Sequence, residues 1–111
     1  MSYKFSMGDR ELGDIEFEED PGTKINFEAA YISFETEGNP ILTVSGSNVG
    51  IRTTSPKAAL DVDDNMIRVR DSFTPASANA SGRQGQICWD ANYLYICVAP
   101  STWKRVALQS W

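Results

Sequence analysis

The 111-residue sequence predicts an all-β protein, with short strands forming an intertwined trimeric β-prism or β-helix-like body and a C-terminal antiparallel β-meander. Three observations lead there. No window carries a sustained 3.6-residue apolar period, so long helices are not expected. Apolar-x-apolar dyads recur instead, each the apolar face of a short strand bounded by turn-forming residues. Each dyad is too small to build a sandwich core of normal thickness within so short a chain, so burial shared between copies is expected.

Taken in order, residues 1–12 are polar and lack a strand pattern, and they read as a docking arm, with Met1 to Arg10 as the anchor. Residues 13–70 form the trimeric, shaft-like body. Its dyads are Ile15-Glu16-Phe17, Ile25-Asn26-Phe27, Ile32-Ser33-Phe34, Val49-Gly50-Ile51, Leu60-Asp61-Val62 and Ile67-Arg68-Val69. Their apolar members Ile15, Phe17, Ile25, Phe27, Ile32, Phe34, Val49, Ile51, Leu60, Val62, Ile67 and Val69 are the candidate trimer interface. Ser55-Pro56-Lys57-Ala58-Ala59 predicts one helical turn, with serine as cap and proline where its missing N–H costs nothing. Residues 71–84 are small, polar and turn-rich and read as a linker.

Residues 85–111 hold all three tryptophans and both cysteines and predict the meander, with strands over 86–90, 93–99 and 102–108. Two hairpin registers compete. A two-residue turn at Ala91-Asn92 puts Ile87, Trp89, Leu94, Ile96 and Val98 on one face and Cys88, Tyr93, Tyr95 and Cys97 on the other. A three-residue turn with Asn92 left-handed mixes Trp89 with the tyrosines. The first has the cleaner apolar face, the second the better turn chemistry.

Composition excludes several functions. A net charge of −5 argues against a nucleic-acid partner, which calls for a basic stripe. The acids crowd residues 9 to 37, and ordinary solvated surface accounts for that. The chain has no histidine, the commonest general base and zinc ligand. No apolar stretch is long enough for membrane insertion, and Met1 to Ser6 carry no leader pattern. Asp61, Asp63 and Asn65 match the opening of a calcium loop, but Met66 and Ser72 stand where glycine and glutamate are needed, so the segment reads as a polar turn. Glu16, Glu18, Glu19 and Asp20 read as a solvated strand face rather than an acid–base pair. Cys88 and Cys97 lack metal-ligand spacing and read as buried free thiols. No enzyme, metal or cofactor is therefore expected. Tyr93, Tyr95, Trp103 and Trp111 are the candidate surface aromatics for a ligand, a carbohydrate above all.

Two stretches resemble known proteins. Val44-Ser45-Gly46-Ser47-Asn48-Val49-Gly50-Ile51-Arg52-Thr53-Thr54-Ser55-Pro56, followed by Ala59-Leu60-Asp61-Val62, resembles the NVGIGTTSP-type repeat of bacteriophage tail-fibre and appendage proteins. Arg52 departs from the glycine usual there. Gly85-Gln86-Ile87-Cys88-Trp89-Asp90, Tyr93-Leu94-Tyr95-Ile96-Cys97-Val98 and Trp103-Lys104-Arg105 resemble the closing module of many phage structural proteins. The resemblance implies a virion structural protein assembled in the host cytoplasm, a homotrimer that partners tail, baseplate or capsid proteins. A short trimeric fibre or tail appendage, or a component of its assembly, is the leading expectation. The alternatives are a capsid decoration (cement) protein and a receptor module that binds host-surface glycan.

Overall fold

The structure, a computed structural model, describes residues 13–111. The docking arm expected at 1–12 lies outside the described residues. The chain divides into two compact units, Met1–Ile67 and Arg68–Trp111. Among the described residues there are strands and turns but no helix, so the all-β expectation holds.

The first unit is a six-stranded sheet in sequence order. Its strands are β1 (Ile15–Phe17), β2 (Asp20–Phe27), β3 (Tyr31–Thr36), β4 (Asn39–Ser45), β5 (Asn48–Ile51) and β6 (Leu60–Val62). All neighbours are antiparallel except β5 and β6, which are parallel. The turns explain the meander. Thr36 pairs with Asn39 across Glu37-Gly38, both at positive φ (53° and 79°), as a I′ hairpin turn requires. Ser45 pairs with Asn48 across Gly46-Ser47, with Gly46 at φ 61°.

The chain then folds back on itself after β5. Arg52 takes φ 66° and its N–H donates to the Ile41 carbonyl at 2.8 Å. The left-handed backbone of the resembled repeat is thus kept although glycine is not, and the Arg52 side chain pairs with Asp64 at 3.0 Å. This fold-back presses the Thr53 carbonyl over Gly50, where an added Cβ would lie 2.4 Å from the oxygen. Gly50→Ala is expected to lower stability by about 1–3 kcal/mol through overpacking against rigid backbone, measured as a shift in the denaturant midpoint at unchanged slope.

Register places the dyads side by side. Ile15, Ile25, Phe34, Leu42, Ile51 and Val62 form one cross-strand row, and Phe27, Ile32, Val44, Val49 and Leu60 a second on the same face. Between the rows, on the opposite face, run Asn26, Ser33, Thr43, Gly50 and Asp61. The small polar row is the buried one: Ser33 and Thr43 are fully enclosed and Asn26 nearly so. Among the described residues of this unit no large aliphatic or aromatic side chain is buried.

The second unit carries a three-stranded antiparallel sheet, β7 (Ile87–Trp89), β8 (Tyr93–Ala99) and β9 (Thr102–Ala107). Three expectations need correction here and above. Ser55 to Ala59 is bent but not helical, its Pro56 carbonyl accepting from the Asn48 amide and its Lys57 N–H donating to Asp61. Ile67-Arg68-Val69 is not a strand, because the Val69 carbonyl is taken by the Trp89 indole N–H at 2.8 Å rather than by a ladder partner. Residues 71–84 belong to the second unit and are hydrogen-bonded into it: Phe73 N–H donates to Trp89, Trp103 N–H to Ala78 and Ser101 N–H to Gly82.

Candidate functional site

Two surfaces stand out, one on each unit. The first is the apolar face of the six-stranded sheet. Phe34 at its middle remains 43% exposed, flanked by Ile25 and Leu42, while Ile15, Phe17 and Leu60 at the edges are more open still. A shallow depression of about 450 Å³ runs along it between Ile15, Phe17, Ile25 and Phe34. Ten of the residues expected at a subunit interface lie on β1 to β6, and Leu42 and Val44 join them. Those two form an apolar-x-apolar dyad like the others, and that spacing was the signal available for them. Ile67 and Val69 lie outside the strands and are exposed.

The second surface lies on the meander. Ile87 pairs with Ile96, Cys88 with Tyr95 and Trp89 with Leu94, which is the two-residue register. Neither Ala91 nor Asn92 has a positive φ. The turn is held instead by Asp90, whose Oδ1 accepts the N–H groups of Asn92 (2.8 Å) and Tyr93 (2.9 Å). Its Oδ2 accepts the hydroxyls of Thr74 and Tyr95, each at 2.5 Å. A side-chain cap thus replaces the backbone conformation that a tight hairpin would otherwise demand.

The hydrogen bond from Thr74, then those from Tyr95 and the backbone, hold the Asp90 carboxyl far below the usual carboxylate range. The Tyr95 hydroxyl is pushed up by donating to it. Because the folded-state value of Asp90 is depressed, its contribution is present above the ordinary aspartate value near pH ~4 and is lost as pH falls below it. Melting followed by tryptophan fluorescence should therefore show stability declining from about pH 4 downward, with a shallower decline in Asp90→Asn.

The two faces of this sheet are inverted relative to simple hydrophobic patterning. Tyr95, Cys97 and Trp103 are buried, with Cys88, Tyr93 and Ala80 packed against them. Ile87, Leu94, Ile96, Val98 and Val106 face outward. Of the aromatics expected at the surface, Tyr95 (4% exposed) and Trp103 (8%) are therefore core, Tyr93 is half-buried, and Trp111 alone is fully exposed. The Trp103 indole donates to the Ala80 carbonyl at 3.1 Å, and Gly82 lies so close that an added Cβ would meet the ring at 2.7 Å. Cys88 and Cys97 are both free, diagonal on one face, and burial pushes the Cys88 thiol up. Diagonal neighbours stand about 7–8 Å apart, beyond comfortable disulfide reach.

Under residues 75–78 this unit contains a cavity of about 470 Å³, lined by Pro75 to Ala78, Tyr95, Trp103, Lys104 and Arg105. Arg105 shares the Tyr95 and Trp103 face, and its guanidinium carbon sits 3.9 Å from the Tyr93 ring centre. The Tyr93 and Tyr95 rings are 5.7 Å apart and tilted. Of the residues at calcium-loop spacing, Asp61 accepts the Lys57 backbone N–H at 2.8 Å. No group of metal-ligating residues forms among the described residues.

Comparison with known proteins finds partial relatives among phage enzymes. The chain is 40% identical over 70 residues to the K30/K69-specific capsule depolymerase of Klebsiella phage K64-1, a match covering 60% of this chain and 9% of that protein. It is 54% identical over 48 residues to the K30/K69-specific depolymerase 1 of Klebsiella phage K5-2, covering 43% of this chain and 6% of that protein. The chain thus spans less than a tenth of the length of these curated relatives. No family model matches it, and no solved structure matches it. It is a relative, over part of its length, of phage capsule depolymerases.

Proposed function

We propose that this chain is a non-catalytic structural module of a phage tail appendage, assembling as a homotrimer through the apolar face of the six-stranded sheet. The observation that carries the proposal is that face: two apolar rows crossing the sheet, exposed in the single chain, over a buried row of Asn26, Ser33, Thr43 and Gly50. An apolar surface of this continuity marks an interaction site rather than ordinary surface. The phage origin of the relatives and the resemblance to tail-fibre repeats favour an appendage, and they lend no support to capsid decoration. Residues 1–12 serve as the docking arm to other virion proteins. Depolymerase chemistry is assigned to the remaining length of the relatives.

Two faces of this kind could also pack as a sandwich of two chains, so stoichiometry is the test. Sedimentation equilibrium at micromolar concentration should give a single species of three times the chain mass. A stable, folded monomer or dimer would overturn the trimer. The same protein should leave the viscosity of K30 capsular polysaccharide unchanged; depolymerisation would overturn the non-catalytic assignment.

A further inference from the structure

We propose that residues 67–70 become a β-strand in the assembled protein, adding in parallel to the free edge of β6 in a second copy of this chain. The contact rests on the association of copies proposed above and gives that association a backbone pairing.

The stretch Ile67-Arg68-Val69-Arg70 alternates apolar and basic residues with the period of a strand. In the single chain it runs without bend or turn and joins neither sheet. Ile67 is 75% exposed and Val69 57%. Of the backbone groups of residues 66–72, only the Val69 carbonyl has a partner among the described residues, the Trp89 indole. A strand-patterned segment with open backbone groups is a template for another strand.

β6 offers the complementary edge, since it ends its sheet. The Ala59 carbonyl and the Asp63 N–H both bond to β5, so Asp61 between them points the same way. By the alternation of a strand, the backbone groups of Leu60 and Val62 face outward. In the incoming segment Val69 faces Trp89, which leaves the groups of Arg68 and Arg70 open on the other edge. Parallel pairing of these two open edges sets Leu60 beside Ile67, Asp61 beside Arg68, Val62 beside Val69 and Asp63 beside Arg70. Ile67 and Val69 then extend the two apolar rows by one strand. On the opposite face each arginine stands beside an aspartate, and opposite charges on neighbouring strands favour that register. No ion pair among the described residues engages Asp63 or either arginine.

The alternatives fail on geometry. Antiparallel pairing of the same edges would put the arginines beside Leu60 and Val62 on the apolar face. Parallel pairing cannot come from the same chain: residues 63–66 alone separate β6 from Ile67, and a parallel connection takes about a dozen residues or more. The partner is therefore a second copy. A contact of this head-to-tail kind closes into a ring when the copies are related by rotation.

Amide hydrogen exchange in the intact, assembled protein reads the pairing group by group. The N–H groups of Arg68 and Arg70, which would donate to the neighbour's Leu60 and Val62 carbonyls, should be protected at least about tenfold more than the Val69 N–H on the other edge. In separated Phe34→Glu chains the three should exchange alike. Arg70→Glu and Asp63→Arg should each weaken association about fivefold per interface, and the double variant should regain most of it. Both positions are exposed, and an unchanged melting temperature of the separated chains verifies that the variants fold. Equal exchange at the three amides in the assembled protein would overturn the proposal. So would protection that persists in separated chains, or a double variant no better than the single ones. A trimer with unprotected Arg68 and Arg70 sinks the strand addition and leaves the trimer standing, a dimer with both protected does the reverse, and a monomer sinks both.

Discussion

Phe34→Glu is expected to turn the assembled protein into separate chains. Phe34 pairs with Ile25 on β2 and Leu42 on β4, at the middle of the apolar face. In the single chain it keeps 43% of its surface exposed, and association would cover that remainder. The substitution removes the aromatic contact and requires a carboxylate to enter an apolar interface, a cost of roughly 3–5 kcal/mol per subunit. At 1.4 kcal/mol per tenfold, the association constant should fall by more than about a hundredfold per interface. Sedimentation at micromolar concentration checks it. Ser47→Glu, at the exposed β4–β5 turn, adds the same charge away from the face and should remain assembled. If Phe34→Glu still sedimented as a trimer, the face would not be the interface.

The strand framework was legible because each dyad has the two-residue period of a strand, and five of the six dyads fall on observed strands. Less legible was which side is covered. Patterning assigns the inside to aliphatic residues, yet in β7 to β9 the buried side carries Tyr95, Cys97 and Trp103. The reason lies in residues 71–84, whose small polar composition reads as a linker. Those residues supply the polar partner that the buried Trp103 ring tip needs, the Ala80 carbonyl, and add the Thr74 hydroxyl to Asp90, which itself accepts from the Tyr95 hydroxyl. A short residue with no pattern of its own can still be structural when its backbone is the partner. The hairpin register was undecided for a related reason: turn propensity speaks for backbone conformation, while here one side chain, Asp90, satisfies the turn.

The same wrapping makes Trp103 the most sensitive position of the second unit. Trp103→Ala is expected to destabilise that unit by about 3–5 kcal/mol, the cost of deleting a large aromatic from a core that cannot collapse around the gap. Collapse is resisted on every side. The backbone N–H of Trp103 is fixed to Ala78 at 2.7 Å, Gly82 is seated against the ring, and Cys97 is its cross-strand partner. Losing the indole also leaves the Ala80 carbonyl without its donor. Trp103→Phe separates the two contributions: it keeps most of the ring contact but not the N–H, and should cost about 1–2 kcal/mol for the lost bond and the small cavity. All three tryptophans lie in the second unit, so fluorescence unfolding in urea reports on that unit by itself. A Trp103→Ala midpoint within about 0.5 kcal/mol of the parent would place the ring at the surface, and with it would go the account of residues 71–84 as part of the folded unit.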